Sequence, residues 1–250
     1  MFTAKKSLGQ NFLKSEGALR AMVTAGDVHP GDFVLEVGPG KGVLTKKLLL
    51  VGAKVMAIEK DHRLIPLLKE EFGEQISLIE GDVLNMDIPD GQFKVVANIP
   101  YYITGQFLRK FLSGDRQPER IVVLVQKEIA DRIVARDEKE SLLSLSVKVF
   151  GTPVKIMKVE KKYFSPAPKV DSAILSITDI SRKNFIDTEA EDKFFTLIKT
   201  GFGQKRKILL SNLKKGGYEL DDVFAELKID PKVRAEDLQL SQWLEILRRI

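Results

Sequence analysis

At 250 residues and 44% hydrophobic content, the chain can bury either one large core or a medium and a small one. It has no cysteine, which excludes disulfides, thiolate metal sites and thiol nucleophiles and fits a reducing compartment such as the cytoplasm. A net charge of +5 favours a polyanionic partner, and no apolar run approaches the roughly 18 residues of a membrane span.

The first 14 residues are basic and polar around Gly9-Gln10-Asn11-Phe12-Leu13, a segment with apolar anchors and amides that could fold over a ligand. Residues 16–25 read as a short amphipathic helix. The strand Phe33–Val37 then runs into Gly38-Pro39-Gly40-Lys41-Gly42 and a helix. Glycines without Cβ let a ligand approach the backbone. Lys41 lies between glycines with no Ser or Thr after it, so this is not a P-loop. Val43 holds the position of the third glycine of a dinucleotide fingerprint, which argues against that cofactor too. An acidic Glu36 entering the loop suits a cofactor that carries positive charge and no phosphate, such as S-adenosylmethionine (SAM).

A second strand, 54–58, ends in Glu59, about 20 residues past the loop, where a carboxylate can hold both hydroxyls of a ribose. After the helix 64–72, a third strand, 76–79, leads to Asp82, either a turn cap or an acceptor for an adenine amine. A fourth strand, Phe93–Ala97, ends in Asn98-Ile99-Pro100-Tyr101. Alone, this tetrapeptide could be a turn. With Glu59 and Asp82 ending the preceding strands, it becomes one wall of a crevice at the carboxyl edge of a doubly wound sheet. An Asn98 side-chain oxygen and an Ile99 carbonyl could then accept both N–H bonds of an adenine amine, with Tyr101 stacked on the base.

A helix over 104–112, a strand over 120–125 and a helix over 127–136 follow, then strand-like runs over 143–150 and 154–160. The stiff loop Phe164-Ser165-Pro166-Ala167-Pro168 could project Phe164 as a second stacking face or bury it as a core plug. A last strand spans 172–177. After residue 180 the chain turns polar and then helical, with helices expected over 190–200, 205–213, 220–227 and 242–249. Lys205-Arg206-Lys207 is either a solvated helix face or a polyanion contact. His29 and His62 stand alone, and no HExxH, GxSxG or Ser/His/Asp set supports hydrolysis. The layout is an α/β, Rossmann-like doubly wound sheet over 1–180 with a small helical domain over 181–250.

In this order the chain carries LGQNFL, EVGPGKGVLT, IEKD, GDVL, NIPYYIT, FSPAPKVDSA and FGQKRKILLSNL. Together these motifs span nearly the whole sequence, and they resemble the rRNA adenine N6-dimethyltransferase family, in particular its bacterial 16S rRNA branch. The resemblance implies SAM-dependent dimethylation of two adjacent adenosines near the 3′ end of 16S rRNA, late in small-subunit assembly, by a cytoplasmic monomer that needs no metal or membrane. By resemblance, Gln10, Asn11, Leu13, Gly38, Gly40, Glu59, Lys60, Asp82, Val83 and Asn98 hold the cofactor. Asn98, Ile99, Pro100, Tyr101 and Phe164 hold the target base, and Lys5, Lys6, Lys205, Arg206 and Lys207 contact RNA. Ile99 replaces a frequent leucine, a neutral change where only the backbone carbonyl is needed, and Tyr102 stands where Asn is common. The sister family that dimethylates 23S rRNA shares the cofactor site; FSPAPKVDSA and FGQKRKILLSNL favour the 16S branch. A non-catalytic RNA-binding assembly factor on the same fold is disfavoured by the intact glycine loop and NIPY.

Overall fold

The computed structural model describes Ala4, Lys5 and residues 8–250. Contacts divide the chain into two compact units, one running to Ala130 and resuming over Gly151–Ile180, the other formed by Asp131–Phe150 and Ser181–Ile250. Among the described residues, no helix is long and apolar enough to cross a membrane.

The first unit is built from β1 (Phe12–Leu13), α1 (Glu16–Ala25), β2 (Phe33–Val37), α2 (Val43–Leu50), β3 (Lys54–Glu59), α3 (Ile65–Phe72), β4 (Ile76–Glu80), β5 (Lys94–Ala97), α4 (Thr104–Ser113), β6 (Arg120–Gln126) and the start of α5 (Lys127–Ile133). After α6 (Leu142–Lys148), which belongs to the second unit, it resumes with β7 (Thr152–Val159), β8 (Phe164–Ser165) and β9 (Ser172–Thr178). Its seven-stranded sheet has the order β4-β3-β2-β5-β6-β9-β7. The first five strands are parallel, and β9 and β7 close one side antiparallel. This is the expected doubly wound α/β sheet with an antiparallel edge.

Local chemistry explains the elements. Ser15 caps α1 by accepting from the Ala18 N–H, and Ala18, Leu19, Met22 and Val23 recur on one helical face that is buried. The central strands β2 and β5 are buried on both faces and, Glu36 and Lys94 apart, apolar, as parallel strands covered by helices on either side must be. In α4, Phe107 and Phe111 pack as tilted rings 4.9 Å apart, with Phe93 6.4 Å from Phe111. Each such ring contributes about 1.5–3 kcal/mol through burial.

The strand order reverses between β2 and β5, because the chain passes from β2 outward to β3 and β4 and then returns to β5 and β6. That is where open α/β sheets place a ligand crevice. The register keeps the carboxyl ends level: Val37 lies opposite both Ile58 and Ala97, and Glu59 opposite Glu80.

Two expectations are corrected. The run over 143–150, expected as a strand, is the helix α6. Ser141 and Ser144 form a reciprocal capping box, with Ser141 N–H donating to Ser144 Oγ at 2.6 Å and Ser144 N–H to Ser141 Oγ at 3.1 Å. A short apolar run has no period that separates helix from strand, and the cap decides. Residues 131–150 also lie in the second unit rather than in the domain expected over 1–180. There the Phe150 ring packs 5.7 Å from Phe185 and 6.1 Å from Phe195. The rest of that unit is α7 (Thr188–Gly201), α8 (Leu209–Lys215), α9 (Asp221–Glu226) and α10 (Leu240–Leu247).

One buried carboxyl group of the first unit, Glu36, lies inside a central strand of the sheet. Glu36 in β2 is 1% exposed; its Oε2 accepts from the Thr45 hydroxyl at 2.6 Å and its Oε1 has no partner. Burial pushes its pKa from the ordinary 4.5 up to about 8. Over that interval the native chain keeps a proton that the unfolded chain has released, so Glu36 makes stability fall as pH rises. Glu36→Gln removes this term. Denaturant unfolding from about pH 5 to about pH 8 is expected to show the variant gaining on the native chain by up to about 1.4 kcal/mol per pH unit. Parallel curves would show that Glu36 is ionised.

Candidate active site at the carboxyl edge of the sheet

A cavity of about 560 Å³ opens at the carboxyl ends of β2, β3, β4 and β5. It is lined by Gln10, Asn11 and Leu13 from the N-terminal arm, Gly38 and Gly40 from the glycine loop, Glu59, Lys60, Asp82 and Val83, and the run Asn98, Ile99, Pro100 and Tyr101. The structure thus brings together every residue that the sequence assigns to the cofactor, and all but one assigned to the target base.

The glycine loop follows β2 with Gly38, Gly40 and Gly42 all at positive φ. A Cβ on Gly38 would stand 3.2 Å from the Asn98 carbonyl oxygen, and one on Gly42 only 2.4 Å from the Phe72 ring. Both left-handed geometry and close packing therefore require glycine. Glu59 fixes the loop from the next strand. Its buried carboxylate accepts the Gly40 N–H at 3.1 Å and the Asp61 N–H at 2.8 Å. Burial pushes the Glu59 pKa above its ordinary value, with these backbone donors opposing the rise.

Asp82 caps the short helical turn after β4 by accepting the Leu84 N–H at 3.0 Å, and its other oxygen pairs with Lys60 Nζ at 2.7 Å. Burial works against its charge, yet Lys60 and the Leu84 amide hold its pKa below the usual carboxylate range. Of the two sequence readings of Asp82, the cap is what the structure shows, and the capping carboxylate also lines the cavity.

Asn98 donates from Nδ2 to the Asn11 carbonyl at 3.3 Å, which leaves Oδ1 without a donor among the described residues. Pro100 holds φ at −59° just beyond the buried Ile99, so the Ile99 carbonyl sits on a stiff backbone. Tyr101 is half-buried on the cavity wall. Tyr102, 61% exposed, lies at the rim beside the arm, where a Cβ on Gly9 would come 3.2 Å from its ring.

Besides the Asn98–Asn11 bond, the arm is tied down in two further places. Leu13 and Phe12 pair antiparallel with Phe164 and Ser165 as β1 and β8. Gln10 Nε2 donates to Asp61 Oδ2 at 2.8 Å. The Arg63 guanidinium beside Asp61, 2.6 Å away at Nη2, holds that buried carboxyl far below the usual range. Sequence reading missed this latch. Its one signal was the acid two residues after Glu59 with an arginine two further on.

Two site expectations are corrected. Phe164 does not project from its loop: it is 3% exposed, packs in the apolar cluster with Leu13, Leu19 and Ile174, and does not line the cavity, which Ser165 reaches instead. Pairing with Leu13 turns its side chain inward. Glu36, expected to place negative charge near the cofactor, does not line the cavity, and burial pushes its pKa up to about 8.

Of the basic residues, Lys5 is exposed and its N–H donates to Gln10 Oε1 at 2.8 Å; Lys6 lies outside the described residues. Lys205, Arg206 and Lys207, expected at the start of a helix, stand exposed on the turn between α7 and α8. Buried Asn212 clasps that turn, donating from Nδ2 to the carbonyls of Gly201 at 2.7 Å and Gln204 at 3.1 Å. These bonds clasp the turn over 202–204 against the end of α7, and the three cations have no acidic partner among the described residues.

The family model described as "Ribosomal RNA adenine dimethylase" matches residues 1–250. The protein named ribosomal RNA small subunit methyltransferase A from Dehalococcoides mccartyi is 42% identical over 97% of this chain and 87% of its own length. Its namesake from Thermosynechococcus vestitus is 40% identical over 100% of this chain and 99% of its own. Among solved structures, a dimethyladenosine transferase from Plasmodium falciparum superposes with a TM-score of 0.84 at 28% identity, covering 95% of this chain and 96% of that one. The 23S rRNA methyltransferase ErmE shares the fold, with a TM-score of 0.80 at 24% identity over 96% of this chain and 99% of its own. With the cavity, the glycine loop and Asn98-Ile99-Pro100-Tyr101 all carried on a sequence matched from end to end, the chain belongs to the ribosomal RNA adenine dimethylase family.

Proposed function

We propose that the chain uses SAM to dimethylate the N6 amines of two adjacent adenosines near the 3′ end of 16S rRNA, in the small subunit or its precursor, in the cytoplasm. The observation that carries this reading is a single cavity lined both by Glu59, Asp82 and the glycine loop and by Asn98-Ile99-Pro100-Tyr101.

The residues present fit the cofactor. Gly38 and Gly40 bring bare backbone to the cavity wall, at positions where a Cβ would crowd the Asn98 carbonyl and the Phe12 ring. Glu59 is an acceptor suited to ribose hydroxyls, and Asp82 one suited to an adenine amine. When bound, SAM supplies an electrophilic methyl group on a sulfonium. The protein's part is to make an adenine amine a competent nucleophile. That amine is weak because its lone pair is delocalised into the ring. Asn98 Oδ1 and the Ile99 carbonyl accept its two N–H bonds and favour a pyramidal nitrogen whose lone pair is free to react. Tyr101 stacks on the base and fixes its plane. No general base is required before attack, since the nitrogen becomes acidic only as its new bond forms. Positioning and fixed dipoles supply the rate.

The second unit supplies the rRNA grip in this reading. Lys205, Arg206 and Lys207 are held on a turn rather than spread along a helix, which suits contact with phosphates. Relatives at about 40% identity named for the small subunit favour 16S rRNA over 23S rRNA.

Asn98→Ala is expected to keep SAM binding within a few-fold while methyl transfer to 30S particles falls by at least about a hundredfold. Full transfer by this variant would break the mechanism. Replacing Lys205, Arg206 and Lys207 together by Ala is expected to weaken 30S binding and to reduce its log–log salt slope by about three. An unchanged slope would make the cluster a solvated surface.

A further inference from the structure

The Tyr101 hydroxyl lies 2.6 Å from the Oγ of Ser172, a residue 71 positions later. Ser172 is fully buried at the first position of β9, the last strand of the sheet in sequence. Its backbone is held from both sides, opposite Gln126 of β6 and opposite Val159 of β7. The residue before it adds three more ties. The Asp171 carbonyl accepts the Lys127 N–H at 3.0 Å, its Oδ1 accepts the Lys161 N–H at 3.0 Å, and its Oδ2 pairs with Lys158 at 2.9 Å. Ser172 is therefore among the most constrained points near the cavity, and it makes its one side-chain bond to the ring that lines it.

Tyr101 itself sits on a short helical turn, where two side-chain torsions leave the ring plane free to swing. A hydrogen bond at the far end of the ring fixes the direction of the ring axis, and so where the ring stands, because the phenol oxygen lies on that axis and the side chain is then held at both ends. The bond to Ser172 takes up one of the two hydrogen-bonding roles of the Tyr101 hydroxyl, as donor or as acceptor. Burial also keeps the phenol neutral by raising its pKa.

We propose that Ser172 is a positioning residue for methyl transfer, fixing where the Tyr101 ring stands as the surface on which the target adenine stacks. This rests on the reading that an adenine enters this cavity. It also explains why a Tyr, rather than a Phe, stands at position 101. It gives the serine in the VDSA segment a part in the chemistry although it does not line the cavity.

The test is a double-mutant cycle read by kinetics on undermodified 30S particles at saturating SAM. Ser172→Ala is expected to lower kcat about tenfold, through a ring freed by a fraction of an ångström, with the KM for 30S and the Kd for SAM unchanged within about twofold. Tyr101→Phe, which keeps the ring and leaves Ser172 in place, is expected to lose as much. The double variant is expected to be no worse than either single one, because all three lack the same bond. Ser172→Thr, which restores a hydroxyl, is expected to recover most of the loss. The proposal is overturned if Ser172→Ala keeps the native kcat, if the two single losses multiply in the double variant, or if SAM affinity falls in step with kcat. Should Ser172→Ala fail to fold, Tyr101→Phe still decides, since native kcat in that variant also overturns it. A native chain that methylates no rRNA would overturn the reading beneath the proposal, whereas an active native chain with an unaffected Ser172→Ala overturns the proposal alone.

Discussion

Four parallel strands that end level with one another leave polar side chains and unpaired backbone on a single edge of the sheet, and the site depends on that edge. Val37, Ile58 and Ala97 stand in register, so Gly38, Glu59 and Asn98 follow within a few ångströms along the strand direction. A one-residue slip in any of these strands would turn its terminal side chain to the opposite face. The apolar interiors of β2 and β5 make such a slip costly, because both faces are buried. Core packing and site geometry are in this sense the same constraint.

On that edge the carboxyl groups divide the work by environment. Glu36 is sealed in the core, where burial pushes its pKa up to about 8, and it anchors Thr45 of α2. Asp61 is buried too, but Arg63 keeps it ionised, and it holds the arm through Gln10. Glu59 lies between these extremes. Its oxygens accept backbone N–H groups from the glycine loop and from Asp61, and it still faces the cavity. Three acidic residues within 26 positions thus become a structural acid, a latch and a ligand-facing acceptor according to which donors each one meets.

Much of this was legible in the sequence because the β-α alternation is regular and each strand ends in a distinctive residue. Glu59, Asp82 and Asn98 could be placed at one edge without coordinates, since strand length and parallel connection fix where a strand ends. The arm was only half legible. Gln10 and Asn11 suggested a ligand cover, but the pairing of Phe12–Leu13 with Phe164–Ser165 joins segments some 150 residues apart, and nothing local encodes it. That pairing is also why Phe164 turns inward. The run over 143–150 misled because an apolar stretch of that length carries no clear period, and the deciding Ser141–Ser144 cap depends on side-chain geometry. The basic triad was placed on a helix for lack of any sign that Asn212 would clasp the turn before it. Such a clasp depends on burial, which sequence pattern does not report.

The central claim is that one cavity serves both SAM and a pair of neighbouring adenosines in 16S rRNA. Mass mapping of rRNA nucleosides after incubating undermodified 30S particles with the protein and SAM tests it most directly. The account predicts N6,N6-dimethyladenosine at two adjacent positions near the 3′ end of 16S rRNA and nowhere else. Methylation confined to 23S rRNA, or no methylated adenosine at all, would contradict it.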